Sequence, residues 1–396
     1  MTTLDTGAGS APRVAFYNDP VIRGIIYQVV VAVLLVWFIV WIIGNTAVNL
    51  AAQNKTTGFD FLWKTAGFDI SFALLPWSRA SYYWEAFLIG ITNTLLVAFI
   101  GIVFATILGF TIGIARLSSN FLISSLATIY VEVIRNIPLL LQLFFWYFAV
   151  LKAMPAVRQS ILLPLDSFIN QRGIFVPKPL PDAQFGFVWI GVALAIIGVL
   201  VLRRWARLRL EANGKRFPVF LSSVALLIAL PALVWLISGA SVTFEPPVLE
   251  RFNFRGGLQL PPEFLALVFG LSIYTASFIA ETVRGGIQAV SRGQTEAAQS
   301  LGLKEGDRLR LVIVPQAMRV IIPPLTSQYL NLTKNSSLGA AIGYPELVNV
   351  FAGTSLNQTG RAIECIALTM LVYLILSLLT SAIMNWYNGR VSLVER

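Results

Sequence analysis

Long apolar runs constrain the fold of this chain more than any other feature of its sequence. A helix needs about 20 mostly apolar residues to cross a hydrocarbon core about 30 Å thick. Lipid offers no hydrogen bonds to the backbone, so each run is predicted to be a helix. The runs are Ile25–Ile43, Phe87–Ala115, Phe121–Val150, Phe187–Leu202, Pro218–Ser238, Phe264–Ala280, Arg319–Gly343 and Ala362–Met384. The sequence therefore predicts an all-α membrane protein with about eight transmembrane helices.

Two of these runs carry further information. Phe121–Val150 exceeds the length of one crossing, so it is expected to hold a membrane-surface helix followed by a span, with a helix break at Pro138. Ile25–Ile43 has no cleavage-site signature and is too long for a signal-peptide core. We therefore expect it to be retained as a span.

Composition excludes several classes of function. Charged residues make up 12% of the chain and hydrophobic residues 57%, whereas an ordinary soluble domain is about 25% charged. The chain has no His, and Cys365 is its single cysteine, so no metal site, Ser-His-Asp set or internal disulfide is expected. The net charge of +10 lies in short blocks between apolar runs. That pattern predicts contact with membrane lipid and not with nucleic acid.

The distribution of basic residues predicts the orientation in the membrane. With a cytoplasmic N-terminus, the inside segments carry basic residues at more than twice the density of the outside segments. The inside segments are then 1–24, 116–120, 203–217, 284–316 and 386–396. Because positive charge is concentrated in cytoplasmic loops, both termini are predicted to be cytoplasmic.

The most specific motif lies in the inside loop after the sixth span. Glu296, Ala297 and Ala298 are followed after three residues by Gly302, and after nine more by an aliphatic run ending at Pro315. This spacing resembles the EAA loop of ABC-importer permeases. Other stretches resemble the polar-amino-acid subfamily of these permeases: Tyr130–Arg135, Pro138–Phe144, Glu281–Ile287, Pro315–Arg319 and Lys334–Leu338. The extra first span and the insert are similar to those of the longer subunits of general L-amino-acid (Aap/Bzt-type) importers.

The resemblance implies a type I ABC-importer permease core of five helices, an extra N-terminal helix and a two-helix insert. Residues 1–86 would hold the cytoplasmic tail, the extra helix and a periplasmic segment, and 87–150 the first part of the core. Residues 151–263 would be the insert, with two transmembrane helices and periplasmic loops. Residues 264–396 would be the second part of the core, with the coupling loop 284–316.

The residues of the EAA-like loop also support a physical interpretation. A helix over Thr295–Leu301 would be under two turns long, with Glu296 in the first turn at the positive end of the helix dipole. Gly302 stands where a left-handed residue ends a helix. The predicted ATPase-coupling residues are Thr295, Glu296, Ala297, Ala298, Leu301 and Gly302. An ordinary exposed helical turn is the alternative.

The chain contains no phosphate-binding loop of the Gly-x-x-x-x-Gly-Lys-[Ser/Thr] type. It is therefore expected to bind no cofactor and to be a non-catalytic subunit. The resemblance implies that ATP and Mg²⁺ bind to separate ABC ATPase subunits docked in the cytoplasm. It also implies a second, different permease subunit, a periplasmic amino-acid-binding protein and a location in the bacterial inner membrane.

Polar residues at membrane depth are costly and are often functional. The polar strip on the seventh span fits a helix that lines a water-filled cavity and unwinds near Lys334. The candidate substrate pathway comprises Gln142, Glu281, Gln328, Asn331, Lys334, Asn335 and Ser336. Lys334 is expected nearest a substrate carboxylate. Glu281 is expected either near a substrate amino group or paired with Arg284 or another basic residue at the interface. Hydrogen bonding between helices is the alternative for each of these residues.

Two pairs of opposite charge with i,i+3 spacing are expected to be structural. Glu132 and Arg135 lie in the third span, and Arg361 and Glu364 lie at the mouth of the last one. In each pair, the two side chains are predicted to neutralise each other's charge.

The favoured function is the permease subunit of an ATP-driven, binding-protein-dependent amino-acid importer that works by alternating access. An ion-coupled secondary transporter is the alternative, although the inverted repeats typical of that class are not evident. A membrane enzyme is disfavoured by the lack of His and of a nucleophile–base set.

Overall fold

The computed structural model describes residues 20–52, 58–214 and 217–391. The α-helices are α1 Pro20–Ala52, α2 Tyr83–Ala115, α3 Phe121–Asn136, α4 Leu139–Phe144, α5 Gly186–Asn213, α6 Val219–Ser238, α7 Pro262–Gln288, α8 Arg292–Ser300, α9 Glu305–Arg308, α10 Val314–Asn335, α11 Leu356–Thr359 and α12 Ala362–Val391. π-Helical segments extend the chain at Phe145–Leu151, Leu309–Ile313 and Val348–Ser355, and a 3₁₀-helix covers Ser336–Ile342.

Within the described residues, seven helices are long and apolar enough to cross a membrane. An eighth span is counted if Phe121–Asn136 and Leu139–Leu151, which meet at 105°, form one crossing. Ile137 takes extended angles (φ −100°, ψ 127°) because the ring of Pro138 disfavours a helical residue before it. The predictions of about eight spans and of a break at Pro138 are confirmed.

Helix α7 is the most buried span and lies between α2 and α10. Two glycines of α2 let its backbone approach α7 closely. A Cβ on Gly109 would lie 2.6 Å from the Cβ of Ile279, and one on Gly113 would lie 2.7 Å from the carbonyl oxygen of Ala280. Since lipid tails give helices no hydrophobic reason to associate, such close contact is what holds spans together.

The segment before α2 is tied to the start of α12 by charged groups. Arg361, only 8% exposed at its side chain, donates to the Asp60 carboxylate over 3.0 Å. Glu364 accepts a hydrogen bond of 2.6 Å from the backbone N–H of Gly58. The hydrogen bond from Lys64, helped by the charge of Arg361, lowers the pKa of Asp60. The predicted pairing of Arg361 with Glu364 is therefore wrong, because each residue has a partner in a distant segment that sequence spacing does not reveal.

The insert between α4 and α7 adds short strands to this helical protein. They are β1 Ile161–Leu163, β2 Ser167–Asn170, β3 Gly173–Val176, β4 Lys178–Pro181, β5 Val242–Glu245, β6 Val248–Glu250, β7 Asn253–Arg255 and β8 Leu258–Leu260. An antiparallel sheet has the order β1-β2-β3-β8, with Phe168 opposite Phe175, and β4–β5 and β6–β7 form two separate pairs. Sequence analysis missed these strands because three or four residues are too few to show alternation.

The close approach of α2 to α7 predicts unequal responses to added methyl groups. Gly113→Ala should destabilise the protein by about 1–3 kcal/mol, because the new Cβ would overpack a filled contact. Gly285→Ala, in α7 with nothing within 4 Å of its Cβ, should be neutral or stabilising by up to ~1 kcal/mol. The measurement is the thermal unfolding midpoint of the purified protein in detergent. Equal midpoints for the two variants would contradict the packing described here.

Candidate functional site

The EAA-like loop folds as the nine-residue helix α8, Arg292–Ser300. It begins three residues earlier than predicted, after Ser291 in an extended conformation (φ −61°, ψ 143°). Glu296 is therefore the fifth residue of α8, and the expectation that it lies in the first turn is wrong. The effect of the helix dipole falls off within the first turn, so it does not explain this carboxylate.

The end of α8 agrees with the sequence analysis. Gly302 has the left-handed φ of +71° and nothing within 4 Å of a Cβ built on it. Its N–H donates to the carbonyl of Gln299 over 2.9 Å, and the N–H of Leu303 donates to that of Ala298 over 3.2 Å. These two bonds form a Schellman motif, which ends the helix and satisfies its last carbonyls. The predicted stop at Gly302 is confirmed.

Helix α8 presents most of its surface to solvent. Ala298 is its one buried residue, at 3% exposure, whereas Leu301 just beyond the helix is 80% exposed and Glu296 and Ala297 are also exposed. An apolar side chain as exposed as Leu301 beside small residues is suited to close contact with another protein surface.

Helix α8 is joined to the spans on the side where α10 begins. The side-chain amide of Gln316 in α10 donates to that of Gln294 in α8 over 3.1 Å. α8 also packs against the π-helical segment Leu309–Ile313, which continues directly into α10. A displacement of α8 would therefore act on α10.

Three of the predicted pathway residues lie together on α10. Gln328, Asn331 and Asn335, spaced i, i+3 and i+7, share one face of the helix. They line a cavity of about 350 Å³ with three residues of α7, which are Tyr274, Thr275 and Phe278. The amide side chains supply hydrogen-bond donors and acceptors without net charge.

Lys334, three residues after Asn331, does not line this cavity. It lines a separate groove of about 460 Å³, together with Ser337, Val348, Thr369, Met370, Tyr373, Leu374 and Ser377. Its side chain is exposed, and no carboxylate of the described residues forms an ion pair with it. α10 ends one residue later and tightens into the 3₁₀-helix. The structure therefore separates Lys334 from Gln328, Asn331 and Asn335.

Glu281 lies in a cluster of arginines at one end of α7. Its carboxylate accepts from Arg116 and Arg284, and the guanidinium of Arg135 lies 3.9 Å away. Of the two predicted arrangements for Glu281, the structure shows the pairing with Arg284. The second partner, Arg116, is a further basic residue that the sequence did not identify, because a pair 165 residues apart leaves no spacing signal.

The predicted pair of Glu132 and Arg135 is wrong as well. Glu132 lies 3.9 Å from Arg116, and Arg135 turns towards Glu281. The guanidinium of Arg135 also lies 5.0 Å from the ring centroid of Phe278, a residue that lines the α10 cavity. The arginine cluster thus borders that cavity.

Gln142 and Ser336 have hydrogen-bond partners in the backbone. Gln142, 6% exposed, donates to the carbonyls of Ile134 and Ile137 over 2.9 and 3.0 Å and so bridges the break at Pro138. Ser336 is fully buried and donates to the carbonyl of Thr333 over 2.7 Å. Both lie outside the α10 cavity described above.

A buried carboxylate, Glu346, was not singled out from the sequence. It accepts from the backbone N–H groups of Val348 and Asn349 over 2.7 and 2.8 Å, and from the hydroxyl of Tyr373 over 3.1 Å. It therefore caps the π-helical segment Val348–Ser355, whose first residue, Val348, lines the Lys334 groove. A Pro-Glu pair two residues before a helix is the only sequence signal for this cap, and it is weak. Among the described residues, no cluster of three or more His, Cys, Asp or Glu could hold a metal ion.

Comparison with known proteins identifies the family of this chain. A family model described as the binding-protein-dependent transport system inner membrane component matches residues 205–393. The general L-amino acid transport system permease protein AapQ of Rhizobium johnstonii is 52% identical to this chain. The alignment covers 100% of this chain and 98% of AapQ. A putative amino-acid ABC transporter permease protein of Escherichia coli K12, YhdX, is 49% identical, covering 96% of this chain and 97% of its own.

A crystal structure of an amino acid ABC transporter with histidines aligns over 78% of this chain and 95% of its own, at 22% identity and a TM-score of 0.46. The long permeases align with this chain over nearly their whole lengths, including the first span and the insert. The chain therefore belongs to the family of inner membrane components of binding-protein-dependent transport systems, within the group of long ABC-transporter permeases that includes AapQ and YhdX.

Proposed function

We propose that this chain is the permease subunit through which an ATP-driven importer moves L-amino acids across the bacterial inner membrane. The observation that carries this proposal is the 52% identity, end to end, with a general L-amino acid permease. The exposed helix α8 supports it, because a subunit that hydrolyses no ATP needs a surface on which a motor can act. The relatives offer no support for the alternative, an ion-coupled secondary transporter.

Exposed surfaces of the chain support the proposed partners. We place ABC ATPase subunits, which would carry ATP and Mg²⁺, against Glu296, Ala297 and Leu301 of the α8 region. Asn331 is exposed on a membrane-spanning helix, where a lipid-facing amide would be costly. We therefore place a second, different permease subunit over the α10 cavity, and a periplasmic binding protein on the outer side. Both termini would lie in the cytoplasm, as the basic residues suggest.

The proposed mechanism uses the connection from α8 to α10. ATP-driven movement of the ATPase would displace α8, and the contact between Gln294 and Gln316 would pass that displacement to α10. Gln328 and Asn331, farther along the same helix, would then move relative to α7, because α10 continues as one α-helix from Val314 to Asn335 past Pro323 and Pro324. The cavity would open to one side of the membrane and then to the other.

Uptake by membrane vesicles tests the class of transporter. Vesicles from cells that produce the complete importer should take up labelled amino acids when ATP is supplied, and an ionophore that collapses ion gradients should leave this uptake intact. Vesicles that lack this chain are the control. Uptake that needs no ATP and stops with the ionophore would contradict the proposal and favour secondary transport.

The end of α8 predicts a test of coupling. Gly302→Val should abolish ATP-dependent uptake, because a β-branched residue in the left-handed region costs at least about 1–2 kcal/mol and would unwind the helix end. Gly302→Asn should retain uptake, since Asn tolerates this conformation and its Cβ would meet no atom within 4 Å. Membrane insertion of both variants is checked by immunoblot. Full uptake by Gly302→Val would show that coupling does not depend on the geometry at the end of α8.

A second test compares the effects of replacing Lys334 and Arg361, each of which carries one positive charge. We propose that Lys334 meets the substrate carboxylate in its own groove, apart from the α10 cavity, so Lys334→Met should reduce uptake at least tenfold while the complex still assembles, as seen by size-exclusion chromatography. Arg361→Met should instead lower the thermal stability, because it removes the ion pair that ties the segment before α2 to the start of α12. Normal uptake by a well-assembled Lys334→Met complex would exclude Lys334 from the pathway, and failed assembly would assign it to a subunit contact.

A further inference from the structure

The α5–α6 hairpin ends in a cavity that the transport mechanism does not use. The cavity measures about 440 Å³ and lies at the end of the hairpin opposite the β-sheet. It is lined by Arg203, Ala206, Arg207 and Leu210 of α5 and by Phe217 and Val219 at the start of α6. The four α5 residues, spaced i, i+3, i+4 and i+7, form one continuous face of the helix.

The two helices are in tight contact along the membrane part of the hairpin. A Cβ on Gly191 would lie 3.0 Å from the Cα of Pro231, and one on Gly198 would lie 2.5 Å from a methyl group of Leu226. Between Gly198 and the end of α5, no further glycine brings the two helices this close. The space between the helix ends is instead bounded by the two arginines and the ring of Phe217, which leaves the cavity.

The cavity lies at the depth of lipid headgroups. The apolar run of α5 ends at Leu202, and Arg203 is the first charged residue after it. A helix of 28 residues is about 42 Å long, which exceeds a hydrocarbon core of about 30 Å, so its last turns reach the headgroup layer. Trp205 in these turns is typical of that layer, and the guanidinium of Arg209 lies 5.1 Å from its ring centroid.

No ion pair among the described residues neutralises the positive charge of this cavity. Within the described part of the chain, neither Arg203 nor Arg207 forms an ion pair. The first turn of α6 contains no acidic residue, and its N-terminal end adds partial positive charge beside Val219. The other walls, from Ala206, Leu210 and Phe217, are apolar.

We propose that this cavity binds the headgroup of an anionic phospholipid, with its phosphate between Arg203 and Arg207 and its acyl chains along the lipid-facing sides of α5 and α6. Guanidinium groups match the geometry of phosphate oxygens, and basic pockets between membrane helices are suited to anionic headgroups. A phospholipid fits better than free phosphate, because the remaining walls are apolar and the site opens at the membrane boundary. The bound lipid would fill the gap between the ends of the hairpin.

Lipid binding to the purified full-length chain tests this proposal. Native mass spectrometry would follow titrations with phosphatidylglycerol and with phosphatidylcholine of the same acyl chains. The wild type should retain phosphatidylglycerol preferentially. Arg203→Gln and Arg207→Gln should each weaken that binding by about fivefold. Arg204→Gln is the matched control, because it removes the same charge from an exposed neighbour that does not line the cavity.

The outcomes distinguish a specific lipid-binding site from non-specific attraction of anionic lipid to the positive surface. Equal losses for Arg204→Gln and Arg203→Gln would show only diffuse surface charge and overturn the proposal. Equal retention of the two lipids by the wild type would overturn it as well. Competition by millimolar inorganic phosphate as effective as that by phosphatidylglycerol would identify a free anion as the ligand and overturn the lipid assignment. Thermal unfolding midpoints of all variants equal to that of the wild type would show that lost binding is not lost folding.

Discussion

The close contact of α2 with α7 is the constraint on which the rest of the permease core depends. Side chains at Gly109 or Gly113 would push the helices apart, and α7 would then lose its place between α2 and α10. Helix α7 forms one wall of the polar cavity, and α10 forms the other and leads back to the coupling loop. Both the cavity and its connection to α8 therefore rest on an interhelical distance that only glycine permits.

Some charged groups of this protein are paired within the chain, and others have no ion pair among the described residues. Glu281 is surrounded by arginines, and Arg361 is paired with Asp60, so these groups hold segments of the chain together. Lys334 has no ion-pair partner among the described residues, and the same holds for Arg203 and Arg207. A charge without a partner inside the membrane is costly, and a basic residue at the headgroup layer attracts anionic lipid. We infer that the substrate carboxylate compensates Lys334, and that an anionic lipid compensates Arg203 and Arg207.

Sequence analysis predicted what depends on neighbours along the chain. Runs of apolar residues located the spans, Pro138 marked the helix break, and Gly302 marked the end of α8. It failed where distant segments meet. The partners of Glu132 and Arg361 lie far away in sequence, and the separation of Lys334 from Asn331 depends on how α10 packs between α7 and α12. The start of α8 was misplaced because the helix was begun at Thr295, and Ser291, a residue type that often precedes a helix, was overlooked.

The central claim is that movement of α8 changes the cavity at Asn331. Cysteine at Asn331 can report this, because the native Cys365 is fully buried and should stay unreactive. The measurement is the rate at which a membrane-impermeant thiol reagent labels Asn331→Cys in the complete importer, with and without trapped ATP. Leu162→Cys on β1, 65% exposed in the native protein, is the control and should label at one rate in both states. The account predicts that trapped ATP changes the rate at Asn331 at least severalfold. An unchanged rate at Asn331 in an importer that still hydrolyses ATP would contradict it.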